Sequence, residues 1–153
     1  MKYWLIKSEP EVFSIEDLMK TKNQTTYWDG VRNYQARNYL RDEMKLKDKV
    51  VFYHSNCEPP AAVGTCEVVK EGYPDFTAFD PDNKHYDPKS LTSSPTWFMV
   101  DIKFISRFSK NVSLEEMRKN PKLSNMKLLQ RGNRLSVMPL SKDEFNEIVK
   151  MGK

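Results

Sequence analysis

The sequence predicts an α+β fold: a small, largely antiparallel β-barrel flanked by several helices, formed by one domain that spans residues 1–153. Branched and aromatic runs with strand character are interleaved with short helical segments, without the strict strand–helix–strand alternation of a parallel sheet. No glycine-rich fingerprint follows the first apolar run, which argues against a Rossmann fold. No repeat, low-complexity tract or linker divides the chain, so a single domain is expected.

The N-terminal third is predicted to form one strand and two helices. Residues 3–7 are aromatic and branched and are typical of a strand. Ser14 is a suitable N-cap for a helix over residues 15–20, and Asp17, three positions later, nearly completes a capping box. A second helix is predicted from about residue 33 to residue 43, where apolar residues recur at helical spacing.

The central part of the chain is predicted to contain three strands and one long loop. Residues 49–55 and 62–70 are rich in valine and aromatic residues, which favour strands. Residues 98–104 alternate apolar and polar side chains, the pattern of a half-buried strand. The intervening residues 71–95 carry no periodicity, and a loop of this length in a compact domain is more often functional than accidental.

The C-terminal part is predicted to form two helices and a short strand. Ser113 with Glu116 makes a capping box, and Ser141 with Glu144 makes another that opens the last helix. Between the two helices, residues 135–138 are a short strand candidate.

Positive charge is concentrated in one stretch. The net charge is only +4, but nine basic residues face two acidic ones between Lys103 and Arg134. A basic face favours a polyanionic partner. Charge alone is equally compatible with a solvated basic surface.

The motifs of common enzymes and metal sites are absent. The sequence contains no Walker loop, nucleophile elbow, HExxH pair or zinc deaminase signature. His54, Cys57 and Cys66 lack the paired short spacings of structural zinc sites, so neither a metal nor a cofactor is expected. His85 has no evident partner and is expected to be exposed to solvent. The two cysteines are expected to remain reduced.

Hydropathy gives an expectation about location. No window contains the eighteen or so apolar residues that a membrane span requires. The apolar run at residues 3–6 is too short for a signal-peptide core, and Lys7 interrupts it. We therefore expect a cytoplasmic protein that is neither secreted nor inserted in a membrane.

Large aromatic residues lie beside hydrogen-bonding groups in several segments, most clearly in residues 28–38. Trp28 precedes Gly30, which permits close backbone approach, and a helix N-terminus is predicted near Asn33. Arg32 and Arg37 add positive charge. Stacking a base on an aromatic ring contributes ~1–3 kcal/mol, so such a surface is suited to a flipped base. A core role for Trp28 remains open at this point.

Five segments together resemble one known family. WLIKSEP, WDGVRNYQARN, FYHSN, GTCEVV and RLSVMPL, in this order and spacing, resemble the EVE domain, and the similarity covers residues 2–149. EVE domains belong with the PUA-like folds. The resemblance therefore implies a small PUA-like barrel flanked by helices that reads a modified base in DNA or RNA by enclosing the flipped base in an aromatic cage.

The resemblance also implies a set of site residues. Trp28 would be the stacking wall, and the strand that contains Tyr53 would supply contacts to the base edge. The expected pocket comprises Lys7, Ser8, Trp28, Asn33, Arg37, Tyr53, His54 and Ser55. Expected phosphate or rim contacts are Arg32, Lys127, Arg134 and Ser136. Tyr27 and Trp97 fit the core at least as well as the pocket. The turn Gly132-Asn133 departs from the family pattern, so Arg131 is not among the expected contacts.

We expect a non-catalytic, monomeric binding module whose partner is DNA or RNA carrying a modified base. One alternative is a PUA-type RNA-binding module that ignores base modification. Another is an enzyme that acts on modified nucleotides with His54 as general acid or base. A third is a sensor of a free nucleoside or another small molecule.

Overall fold

A computed structural model describes residues 1–153. The six strands are β1 (Tyr3–Ser8), β2 (Thr25–Tyr27), β3 (Lys49–His54), β4 (Ala61–Pro74), β5 (Phe98–Ser113) and β6 (Val137–Leu140). The four α-helices are α1 (Ile15–Lys20), α2 (Tyr34–Asn38), α3 (Leu114–Arg118) and α4 (Lys142–Met151). Short 3-10 turns occur at Lys22–Gln24, Phe76–Phe79, Pro121–Leu123 and Lys127–Leu129, and a π-helical turn, Tyr39–Glu43, continues α2.

The strands form one sheet in the order β2-β5-β4-β3-β1-β6. Only β1 and β3 run parallel, and the other four pairings are antiparallel. The predicted α+β class and largely antiparallel sheet are therefore confirmed. The predicted barrel is not closed, because β2 and β6 remain edge strands and do not pair with each other.

The two longest strands are bent by bulges. The pairing between β4 and β5 shifts register four times along its length. Each bulge inserts an extra residue, bends the strand and increases its twist, so the sheet curves without closing. Bulges also interrupt the alternation of apolar and polar residues by which a strand is recognised in a sequence. The prediction therefore missed the ends of both strands, which extend beyond residues 62–70 and 98–104. The predicted loop 71–95 begins inside β4.

The helix starts follow the predicted chemistry. Complete capping boxes at Ser14, Ser113 and Ser141 open α1, α3 and α4. Asn33 caps α2 by accepting a hydrogen bond from the Ala36 N–H at 2.9 Å. Such caps satisfy backbone N–H groups that have no partner within the helix. Strand β2 was not predicted, and β6 lies two residues later than the predicted strand 135–138.

The sheet separates two apolar clusters. Successive residues of a strand point to opposite faces, so Ile6 and Phe52 join one cluster while Leu5 and Val51 join the other. The first cluster includes Trp28 and residues of α1 and α2, and the second includes residues of α3 and α4. This arrangement places the helices against both faces of the sheet.

Three simple features complete the description. Cys57 and Cys66 are free thiols. No cluster of three or more His, Cys, Asp or Glu side chains has an arrangement suited to a metal ion. None of the helices combines the length and apolar character needed to span a bilayer.

Candidate functional site

An open cavity of about 570 Å³ lies where β1 and β2 end. Its volume is within the range of roughly 300–1,000 Å³ found for small-molecule sites. Four parts of the chain form its walls: Lys7 to Glu9 with Val12 and Phe13, residues 26–31, Lys84 with His85, and Ser136. The cavity therefore joins segments that are distant in the sequence.

Aromatic side chains form the apolar walls of the cavity. Trp28 is 9% exposed and lines the cavity with its remaining accessible surface. Its ring meets Phe13 and Phe52 edge to face, with centroid distances of 6.2 and 5.5 Å. Tyr27 also lines the cavity and is 44% exposed. Trp28 thus belongs to the core and to the cavity wall at once, and the packing fixes its orientation.

Polar groups of β1 and of Ser136, the residue before β6, line the same cavity. Lys7 forms no ion pair, and its partial burial lowers the pKa of its ammonium group. The Lys7 backbone N–H donates to the Ser136 carbonyl at 2.9 Å, which holds the two residues side by side. The Ser8 hydroxyl donates to the Phe13 carbonyl at 2.5 Å and retains its lone pairs as acceptors.

The loop after β4 supplies a further wall through His85. Its ring Nδ1 lies 3.2 Å from a carboxylate oxygen of Asp29. Gly30 has a φ of +80°, and a Cβ there would come within 2.5 Å of the imidazole. The expectation that His85 is a solvent-exposed residue without a partner is therefore wrong. The one available signal was Gly30, since close approach of another group is a frequent reason for glycine.

Asp75 attaches this loop to the cavity wall. Its buried carboxylate accepts hydrogen bonds from the Gly30 N–H at 2.9 Å, from Arg32 at 3.0 Å and from the N–H and hydroxyl of Thr77. Burial alone would raise the pKa of this carboxyl, but the hydrogen bonds from Thr77, Gly30 and Arg32 outweigh it and lower the pKa. A buried carboxylate therefore holds Gly30, a residue of the cavity wall, in place.

Arg32, which is predicted as a phosphate or rim contact, does not line the cavity. Besides its ion pair with Asp75, its guanidinium donates to the His85 carbonyl at 2.6 Å and lies over the ring of Trp97 at 5.4 Å. These contacts use the guanidinium within the fold. Trp97 itself is buried, lies outside the cavity and donates its indole N–H to Asp87 at 2.6 Å.

Three predicted edge contacts, at the end of β3 and directly after it, lie outside the cavity. Tyr53 is in the core on the opposite face of the sheet, where burial raises the pKa of its phenol to about 12. His54 accepts the Ile15 backbone N–H at its Nε2 atom, at 3.1 Å, and burial lowers the pKa of its imidazole. The Ser55 N–H donates to the Ser8 carbonyl at 2.9 Å. His54 is therefore used at the start of α1 and does not line the cavity as a general acid or base would need to.

Asn33 and Arg37, the two predicted pocket residues at α2, also lie outside the cavity. The side chain of Asn33 caps the helix. Arg37 donates to the Thr96 carbonyl at 2.5 Å and lies over the ring of Tyr34 at 5.2 Å. Of the twelve predicted contacts, the structure brings four together around the cavity: Lys7, Ser8, Trp28 and Ser136.

A second, shallower depression of about 400 Å³ collects further predicted contacts. Lys127 and Arg134 line it together with Arg131, and no carboxylate does. The complete lining is Asn33, Gln35, Lys127, Gln130, Arg131, Gly132, Asn133, Arg134 and Leu135. We call this surface the basic depression.

Sequence comparison gives a match over nearly the whole chain. The profile of the EVE domain matches residues 2–151. Mouse thymocyte nuclear protein 1 is 47% identical over 166 residues, covering 97% of this chain and 73% of the mouse protein.

Comparison with solved structures gives the same result. A hypothetical protein from Leishmania major is 46% identical with a TM-score of 0.93, covering 99% of this chain and 94% of that one. The human THYN1 protein, solved in complex with 5-methylcytosine-containing DNA, is 44% identical with a TM-score of 0.93 and covers 100% of this chain and 98% of that one. These similarities confirm the prediction of a PUA-like fold.

Proposed function

The chain belongs to the EVE domain family, and on that basis we propose that it binds DNA and holds one flipped base, a 5-methylcytosine or a related modified cytosine, in the cavity beside Trp28. One observation carries the proposal: a single open cavity combines aromatic walls with an unpaired ammonium group and a carboxylate. The complex of the human relative with 5-methylcytosine-containing DNA supports the choice of DNA and of a modified cytosine.

The polar groups of the cavity complement the edge of a cytosine. A cytosine presents an amino donor together with a ring nitrogen and a carbonyl oxygen as acceptors. Asp29 and the Ser8 hydroxyl offer acceptors, and Lys7 offers a donor. Lys7 forms no ion pair, so its ammonium need not break an existing one to reach the base.

Contacts in the cavity must recover the free energy that base flipping costs. Extruding a base costs a few kcal/mol. Stacking on Trp28 or Tyr27 returns ~1–3 kcal/mol per ring. A hydrogen bond that involves a charged group adds ~1.5–3 kcal/mol. Two such contributions together offset the cost, which makes recognition of one flipped base feasible.

Discrimination by methylation is expected to be modest. Burial of one methyl group contributes ~0.8 kcal/mol, about a fourfold difference in affinity. A larger preference requires that the unmodified base leave a polar group unpaired or meet a steric clash. The apolar wall of Phe13 and Trp28 provides a surface against which a methyl group would be buried.

The proposed activity is recognition without chemistry. The enzyme alternative assigned acid–base catalysis to His54, whose Nε2 accepts a backbone hydrogen bond at the start of α1. Mass spectrometry of a methylated oligonucleotide after incubation with the protein tests this directly. Conversion of the base would overturn the proposal.

The proposal is tested by fluorescence titration with two oligonucleotides that differ in one cytosine methyl group. Trp28 is the only tryptophan that lines the cavity, so stacking of a base on it should quench part of the emission. Tyr27→Ala should weaken binding several-fold. Tyr86→Ala is the matched control, because Tyr86 is similarly exposed, at 42%, but lies outside the cavity.

Two outcomes would contradict the proposal. Equal effects of the two tyrosine substitutions would mean that the cavity does not contact the ligand. Tighter binding of an RNA of matched sequence, without dependence on methylation or on Tyr27, would favour the PUA-type RNA-binding alternative.

A further inference from the structure

The basic depression concentrates cations that lack an internal partner. Lys127, Arg131 and Arg134 line it, and none of them forms an ion pair. Only one of its lining residues, Leu135, is apolar, and the remaining polar side chains are amides. Amide and guanidinium groups are donors that suit the oxygen atoms of a phosphate.

Several other cations of the same sequence stretch form ion pairs within the fold. Four of them pair with carboxylates: Arg107 with Glu16 at 2.8 Å, Lys110 with Glu116 at 3.3 Å, Lys119 with Glu115 at 3.2 Å and Lys122 with Glu147 at 4.0 Å. The excess positive charge of residues 103–134 is thus not spread evenly over the surface. Much of the unpaired part converges on the basic depression.

The loop that carries these cations is internally braced. The Asn133 side-chain amide donates to the Lys127 carbonyl at 2.5 Å and accepts the Leu135 N–H at 2.8 Å. Gly132 has a φ of +78°, a conformation that favours glycine. This turn presents Arg131 and Arg134 to one depression, so their proximity does not depend on a ligand.

The basic depression is adjacent to the cavity. Val31 lines the cavity and Asn33 lines the basic depression, while Ser136 and Leu135 are divided between the two in the same way. The two surfaces therefore border each other at residues 31–33 and 135–136. We expect the backbone phosphate beside a base in the cavity to lie next to the basic depression.

We propose that the basic depression binds the phosphodiester group next to the flipped nucleotide, so that the ligand is a DNA strand rather than a free nucleoside. This inference rests on the proposed function of the cavity. It assigns Arg131, with Lys127 and Arg134, to the backbone and leaves base recognition to the cavity.

The test compares three ligands: a short methylated DNA oligonucleotide, 5-methyl-2′-deoxycytidine and its 5′-monophosphate. Dissociation constants are measured at several salt concentrations for the unmodified protein and for Lys127→Ala, Arg131→Ala and Arg134→Ala. Lys103→Ala is the matched control, because Lys103 is exposed and unpaired in the same basic stretch but lies outside the basic depression.

Each substitution in the basic depression should weaken oligonucleotide binding by roughly threefold or more and lower the slope of log affinity against log salt by about 0.7–0.9. Nucleoside binding should stay within twofold, and Lys103→Ala should change neither quantity by as much. A smaller loss for the monophosphate than for the oligonucleotide would support a strand backbone, and an equal loss would indicate a site for free nucleotides and overturn the inference.

Two further results separate this inference from the proposed function. An unchanged salt slope, or equal loss of nucleoside binding, would overturn the backbone assignment even if methylation dependence persists. Loss of all dependence on methylation and on Tyr27, with the slope changes intact, would overturn the base pocket and support the basic depression as a backbone site.

Discussion

Replacing Asp75 by asparagine should destabilise the fold and loosen the cavity wall. The side chain keeps its size, but one carboxylate oxygen becomes an NH₂ group. Asp75 accepts from Gly30 and Arg32 on one oxygen and from Thr77 on the other. If the amide oxygen keeps the Thr77 bonds, the NH₂ group faces two donors and can accept from neither.

The magnitude follows from these lost contacts. A buried donor left without a partner costs about 1–3 kcal/mol. The Arg32 side chain is 24% exposed, so solvent recovers part of its loss, whereas the Asp75 side chain is fully buried. We expect the free energy of unfolding to fall by about 3 kcal/mol.

Urea unfolding followed by circular dichroism measures this change. Asp82→Asn is the control, because Asp82 lies in the same loop, is exposed and forms no ion pair, and it should change stability by less than about 0.5 kcal/mol. Since Gly30 lines the cavity, Asp75→Asn should also weaken oligonucleotide binding. A loss of stability below about 1 kcal/mol would refute the view that Asp75 anchors the wall.

Three further predictions concern other parts of the fold. Gly30→Ala should lower the free energy of unfolding in urea by more than Gly132→Ala. Both glycines have a positive φ, but only a Cβ at Gly30 would meet a side chain, the imidazole of His85. Equal losses would mean that the contact with His85 is unimportant. Burial lowers the pKa of His54 in the folded state, so its contribution to stability is complete above the unfolded pKa of about 6.5 and declines as the pH falls toward the folded pKa. His54→Gln should flatten the dependence of melting temperature on pH between about pH 7 and 5, and an unchanged dependence would contradict this. A thiol reagent should label Cys57 in the native protein and leave the fully buried Cys66 unreacted until unfolding, whereas rapid labelling of both would contradict the described burial.

Local chemistry made much of the fold predictable. The serine caps at residues 14, 113 and 141 act within four residues, so each could be read without knowledge of the rest of the chain. Strand β2 contains only three residues and depends on pairing with β5, which no local pattern records. The ends of β4 and β5 were missed because bulges break the alternation that identifies strands.

The site was only partly predictable, for a similar reason. Trp28 and Lys7, two of the residues predicted for the pocket, line the cavity. Its other wall depends on pairs such as Asp29 with His85, 56 residues apart. One error was avoidable. Tyr53 and His54 are neighbours in β3, and successive strand residues face opposite sides of the sheet, so they could not both enter one pocket.

A crystal structure of the protein with a short DNA carrying one 5-methylcytosine tests the central claim most directly. We predict that the methylated base is turned out of the helix and lies in the cavity against Trp28, with its edge within hydrogen-bond distance of Lys7 or Asp29. A base that remains stacked in the DNA, with the cavity unoccupied while the DNA is bound elsewhere on the surface, would contradict the claim.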